Sequence, residues 1–269
     1  MKAFAGDGCL ARNAKLLEHF YADANGSVDF NTPRSRQNWK PAKATLKQES
    51  SDKCAYCEAQ TAVVAHGDVE HFRPKSQYWW LAYSYCNYTY SCQICNQSYK
   101  GDQFPVSGDR LEAPALPKKR PASDAKLLEL AETFSLDPSS LTADQIATVL
   151  NKETKHLPDP YLEDPEELFA WEAIHETSEV WIRPNGSGKK AKNAYEAAES
   201  VLGLNRVELL NARWMEFNVI YSLAVVVQEA GLPADARQRI VNTMLASARP
   251  ESPFAGMKRF YLREWGFLT

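Results

Sequence analysis

CAYCEAQTAVVAHGDVEHFRPKSQYWWLAYSYCNYTYSCQICNQSYKGDQFP, the stretch from Cys54 to Pro105, decides how this chain is read. Two CxxC pairs, Cys54/Cys57 and Cys92/Cys95, bracket 34 residues, 58 to 91. Between them runs Asp68-Val69-Glu70-His71, and Asn87, Asn96 and Lys100 follow. Thiolates at i and i+3 on a tight turn supply two tetrahedral ligands to Zn²⁺, and two such knuckles complete the set. A disulfide pair, a redox CxxC and chance are the competing readings. Two pairs in one short window argue against chance, and a redox motif wants a single CxxC in a βαβ setting. The expectation is a structural Zn²⁺ on Cys54, Cys57, Cys92 and Cys95, contributing folding free energy to a segment too small to bury much core.

The inner residues carry the chemistry. A carboxylate directly before a histidine on a short strand sends the two side chains to opposite faces. One can hold a divalent metal while the other takes a proton from water. Hard cations such as Mg²⁺ prefer oxygen ligands, which makes Glu70 and an asparagine carbonyl such as Asn96 natural partners.

With these residues in view, the segment resembles the HNH, or ββα-metal, endonuclease family in its H-N-N variant, matched by Glu70-His71, Asn87 and Asn96. The resemblance implies His71 as general base, Glu70 and Asn96 as ligands of a catalytic Mg²⁺ or Mn²⁺, and Asn87 as a loop clamp orienting the histidine. Lys100 would face the phosphate. CAYCE, EHFRPKS, YWWL and CxxCNxxxKGxxFP are similar to the HNH subunits of Septu-type and some retron antiviral systems, which work beside an ATPase. That similarity is dense over about residues 39 to 116 and weaker over 157 to 213. The loop before Asn87 departs from the subgroup's aromatic-Asp-Trp-x-Asn, reading Tyr83-Ser84-Tyr85-Cys86-Asn87.

Composition bounds the rest. The chain has 269 residues, 44% of them hydrophobic, enough for one good core or two smaller ones. A net charge of −3 and pI near 6.0 argue against a globally basic nucleic-acid binder, yet leave room for a local basic face. Four of six cysteines go to zinc, leaving Cys9 and Cys86, which is no disulfide framework; a reducing cytoplasm is expected. MKAFAGDGCLARNAK lacks the apolar core of a signal peptide, and the longest greasy run, Val219 to Val227, is far short of the roughly 20 residues a membrane span needs.

Three regions follow: an N-terminal helical lead-in (1–48), the zinc-stapled HNH module (49–116) and a mainly helical C-terminal region (117–269). In the lead-in, Leu10, Leu16, Leu17 and Phe20 sit near helical spacing and predict a helix over 10–22. Arg34, Arg36, Lys40, Lys43 and Lys47 then form a run with no acid between Asp29 and Glu49. It reads equally as a solvated helix face and as a surface along a phosphate backbone. Arg73 and Lys75 follow the catalytic strand and divide between phosphate contact and loop salt bridges; Trp79 and Trp80 read as packing residues. Pro105, Pro114, Pro117 and Pro121 mark a linker carrying Lys118-Lys119-Arg120.

Ser123 and the box Thr142-x-x-Gln145 start two helices. Asp159 to Glu179 holds eight acids and no Lys or Arg, predicting a face that repels phosphate and meets water or a protein partner. FAWEAI and EVWIRP alternate at period two and predict a β-hairpin. Helices are predicted over 190–202, from an Asn205 cap to Gly231, over 234–247 and over 255–264. Asn185-Gly-Ser-Gly188 lacks the P-loop pattern, so no ATP site is expected on this chain. His19, His66, His156 and His175 read as ordinary histidines, His66 being a possible stray ligand near His71.

The fold class expected is mainly α, with a small zinc-stapled ββα-metal module and a β-hairpin in the C-terminal half. The function expected is metal-dependent hydrolysis of phosphodiester bonds in nucleic acid, DNA favoured, by the cytoplasmic effector nuclease of an antiviral system with an ATPase partner. The alternatives are a ribonuclease with the same site and a non-catalytic zinc module binding nucleic acid or protein.

Overall fold

The computed structural model describes residues 2–61, 66–229 and 231–268. The fold is mainly helical with small antiparallel strand pairs, as the sequence predicts; of the three two-stranded sheets among the described residues, the one pairing residues 106–107 with 154–155 was not expected, since those residues fall in the predicted linker and helical stretch. Its helices are α1 (Asp7–Ala22), α2 (Pro33–Arg36), α3 (Lys43–Glu49), α4 (Asp124–Glu132), α5 (Ala143–Leu150), α6 (Lys189–Ser200), α7 (Val207–Gln228), α8 (Ala234–Ser247) and α9 (Ala255–Glu264). The strands pair as β1 (Asp68–His71) with β2 (Tyr88–Ser91), β3 (Val106–Ser107) with β4 (Thr154–Lys155), and β5 (Phe169–Ile174) with β6 (Glu179–Pro184).

Local chemistry explains most boundaries. Ser123 Oγ accepts from the Lys126 amide and starts α4. Thr142 and Gln145 form the reciprocal capping box that starts α5. FAWEAI and EVWIRP pair in full register, Phe169 opposite Pro184 and Ile174 opposite Glu179.

Tertiary contacts overrule one expectation. Asn205 does not cap α7, whose N-cap is Arg206 without a side-chain bond. Its carboxamide instead accepts from the Ile182 amide (2.8 Å) and donates to the Ile182 carbonyl (3.1 Å), filling a backbone position on β6. Buried as it is, the side chain satisfies two groups that water cannot reach, a stronger requirement than capping a helix start. The acidic stretch is paired in part. Glu163 pairs with Lys155 (2.9 Å) and Lys190 (2.8 Å), Glu172 with Arg183 (2.6 Å), and Glu166 with Arg259 and Arg263. Asp164, Glu167 and Glu176 are exposed and have no ion pair among the described residues.

One core joins the segment holding Cys54, Cys57, Cys92 and Cys95 to the C-terminal helices. Cys54, Cys57, Phe72, Tyr78 and Trp80 share it with Leu136, Ile146, Val180, Phe217, Met257 and Tyr261. Each large side chain so buried contributes about 1.5–3 kcal/mol. Gly203 permits one close approach: it has φ +56°, and a Cβ there would lie 2.0 Å from the Tyr99 ring. Among the described residues no helix is long and apolar enough to cross a membrane.

Candidate active site and metal centre

The four predicted zinc cysteines converge. The Sγ atoms of Cys54, Cys57, Cys92 and Cys95 all lie within 4.8 Å of one another, three of the residues buried and Cys92 partly so. Cys54 and Cys57 lie on the turn before β1; Cys92 and Cys95 straddle the start of a π-helix, Ile94–Lys100, directly after β2. Pairing β1 with β2 therefore brings the knuckles together. The Cys95 amide donates to Cys92 Sγ (3.4 Å), stabilising thiolate on the second knuckle. The soft, compact four-sulfur set fits a closed structural Zn²⁺. Around it, Arg206 donates to Cys95 Sγ (3.6 Å), and Glu58 accepts from the Gly256 amide at the start of α9 (3.2 Å). The staple thus anchors C-terminal helices as well as its own segment.

β1, β2 and the π-helix set out the remaining residues. His71 faces Tyr88 across the ladder, and Glu70 faces Thr89. Both side chains are 5% exposed. His71 Nε2 donates to the Ala82 carbonyl at 2.9 Å, and Tyr88 Oη donates to the same oxygen at 2.8 Å. With Nε2 carrying the proton, neutral imidazole keeps its lone pair on Nδ1. Burial pushes the His71 pKa down to about 3, helped by the positive charges of Lys75 and Lys100 and opposed by the Ala82 bond.

Asn87 closes the loop between the strands. Its Oδ1 accepts from the Arg73 amide (2.8 Å), and its Nδ2 donates to the carbonyls of Arg73 (3.0 Å) and Leu81 (3.3 Å). Leu81 adjoins Ala82, the residue that holds the His71 ring. Asn87 therefore acts on the histidine through the loop backbone.

Glu70 is buried against Lys100, whose Nζ lies 2.5 Å from Oε1 and donates to the His71 carbonyl at 3.0 Å. Burial raises the Glu70 pKa, and Lys100 opposes that rise. Apart from that ion pair, Glu70 Oε1 has no hydrogen-bond partner among the described residues. Asn96 is half-buried on the π-helix. Glu70 and Asn96 fit a hard divalent cation in donor type, with Lys100 already supplying one positive charge beside the carboxylate.

Two expected phosphate contacts are placed elsewhere. Lys100 is fully buried on Glu70 and does not face outward. Arg73 is fully buried too: Nε pairs with Glu153 Oε1 at 2.7 Å, Nη2 donates to the Leu150 carbonyl, and Asp159 lies 3.9 Å from Nη1. An unpaired guanidinium in that interior would be costly, so its partners hold it there. Lys75 is half-buried, 5.9 Å above the Trp39 ring. His66 is exposed, and Trp79 stacks on Phe20 at 4.4 Å, as a packing residue does.

Trp39 was not singled out by the sequence reading. Its ring meets His71 edge-on, with centroids 5.0 Å apart. The available signal was a lone tryptophan inside a basic run; only the fold shows that the run wraps back onto the histidine.

Over 110 residues the chain is 36% identical to the Septu protein PtuB of Bacillus mycoides (strain KBAB4), a match covering 36% of this chain and 36% of the relative. The matched part therefore spans about a third of the curated relative's length. No protein-family profile matches the chain, and no solved structure matches it.

Proposed function

We propose that this protein is a metal-dependent HNH-type endonuclease, DNA being the favoured substrate, and that it serves as effector of an antiviral defence system. One observation carries the reading: a neutral, oriented His71 sits beside a carboxylate on a strand pair that runs into a helix bearing Asn96. The similarity to a Septu protein supports the defence setting.

In this reading His71 Nδ1 takes the proton from water. The water oxygen attacks phosphorus in line, and the 3′ oxygen departs. Ala82 and Tyr88 hold the ring in the tautomer that leaves Nδ1 basic. Lys75 and Lys100 depress the histidine's basicity, and an arriving phosphate offsets their charge, so His71 becomes a better base when substrate is present. Mg²⁺ or Mn²⁺ on Glu70 and Asn96 would supply charge stabilisation at the scissile phosphate. We also propose an ATPase partner docking on region 117–269, as in the systems the sequence resembles.

A second reading has an observation of its own. Glu70 and His71 are 5% exposed, and Lys100 already pairs with Glu70, as in a zinc module that only binds. Incubating labelled duplex DNA, single-stranded DNA and RNA with the protein and Mg²⁺ or Mn²⁺ separates the two. Cleavage lost in His71→Ala, with zinc retained, is expected; positioned bases typically contribute 10²–10⁴-fold. Near wild-type cutting by His71→Ala sinks the nuclease reading. Equal inactivity of wild type and variant, alone and with any ATPase that co-purifies from the native host, supports the binding module.

A further inference from the structure

The basic run of the lead-in does not trail away from the candidate site. It forms a collar against it. Thr32 Oγ1 caps α2 by accepting from the Ser35 amide, and buried Ser35 donates to the Asp29 carbonyl at 2.7 Å. Buried Asn38 donates to the carbonyls of Arg34 and Ser35, while its own carbonyl accepts from Arg12 on α1. These bonds fix the backbone around residues 29–38, with Arg12 tying it to α1. Trp39 projects inward from this collar to meet the His71 ring at 5.0 Å and also contacts Tyr83 and Phe30.

The charged residues point the other way. Arg34, Arg36 and Lys40 are exposed, and Lys43 is half-buried. None of the four has an ion pair among the described residues, whereas Lys47 is paired with Asp52 at 3.4 Å. Lys75 reaches over Trp39 from the other side, carrying positive charge from the collar to the histidine. Asp29, at the collar's start, is the one acid in the segment, and its Oδ1 is occupied by the Asn31 amide.

We infer that the segment Pro33–Lys43 is a phosphate-tracking surface that delivers a nucleic-acid backbone to His71, with Arg34, Arg36 and Lys40 as the contacting charges. The inference rests on the nuclease reading but concerns binding, so it can fail separately. A rigid backbone limits the ordering entropy lost on contact, and lysine or arginine contacts with phosphate release counterions, giving binding a steep salt dependence.

The test measures fluorescence anisotropy of labelled duplex DNA, single-stranded DNA and RNA of one length across a salt series. His71→Ala protein is used without added Mg²⁺ or Mn²⁺ and without chelator, so that nothing is cut and the zinc staple is kept. Replacing Arg34, Arg36 and Lys40 by serine is expected to flatten the log–log salt slope by about 2 to 3 units for duplex and to weaken binding roughly 10- to 100-fold near 0.1 M salt. Zinc content and melting temperature should match the parent, since these side chains are exposed. The probe with the largest change identifies the strand type. An unchanged slope overturns the inference, as does a loss that appears instead in Lys118→Ser/Lys119→Ser. Absence of binding by the parent to all three probes overturns it as well. Cleavage by otherwise wild-type protein is scored independently: a triple variant that binds and cuts normally rejects the collar and keeps the nuclease, whereas collar-dependent binding without cutting does the reverse.

Discussion

Lys100 Nζ lies 2.5 Å from Glu70 Oε1, and both side chains are almost wholly removed from solvent. Two residues 30 positions apart thus neutralise each other beside the histidine. Removing one partner of a buried pair strands the other, at a cost of about 3–5 kcal/mol, whereas replacing both is milder. Lys100→Met should therefore lower stability by that order in urea unfolding, and Glu70→Gln/Lys100→Met should recover much of it. A double variant no better than the single one would show that Glu70 does not depend on Lys100.

Arg73 presents the same physics at the seam between the cysteine-cluster segment and the helices. Glu153 accepts from Arg73 Nε (2.7 Å), Tyr78 Oη (2.6 Å) and the Leu111 amide (2.9 Å). Arg73→Met should destabilise the whole chain by about 3–5 kcal/mol. If Arg73 were instead a phosphate contact, the variant would keep its melting temperature and lose nucleic-acid affinity.

Asn205 allows a cap and a tie to be told apart. Aspartate serves as well as asparagine at an N-cap but cannot donate to the Ile182 carbonyl. Asn205→Asp is accordingly expected to cost about 1–3 kcal/mol. Thermal unfolding that leaves the variant indistinguishable from wild type would restore the capping role.

His71 sets a pH dependence. Its pKa is about 3 in the fold against an ordinary 6.5, so the unfolded chain binds the extra proton between those values. The stability conferred by the neutral ring is complete above pH 6.5 and declines as pH falls toward 3, by at most about 1.4 kcal/mol per pH unit. Denaturation at pH 4.5 and 7.5 should show a drop for wild type that shrinks in His71→Gln. Equal drops in both proteins would assign the acid sensitivity to other groups.

The zinc staple makes a chemical prediction. Protein purified without added metal should carry about one Zn²⁺ per chain by elemental analysis, and Cys57→Ser or Cys92→Ser should lose metal and solubility together. Because Glu58 and Arg206 tie the knuckles to α9 and to the start of α7, the loss should also expose tryptophans of the C-terminal half, read by fluorescence. Well-folded protein without zinc would end this assignment.

Sequence alone determined the parts of this protein whose signals are local. Cysteine spacing announced the four-sulfur cluster because a knuckle is built within four residues. The Thr142-x-x-Gln145 box and the period-two runs FAWEAI and EVWIRP announced α5 and the hairpin, since caps and pleats are set by near neighbours. Tertiary structure alone decided which charges face inward. Arg73, Lys100 and Asn205 look like surface or capping residues in a string of letters, but Glu153, Glu70 and Ile182, all distant in sequence, claim them. It also decided that Glu163, Glu166 and Glu172 are paired and that Trp39 rests on His71. Pairing and burial depend on which distant segments meet, and no periodicity within one segment encodes that.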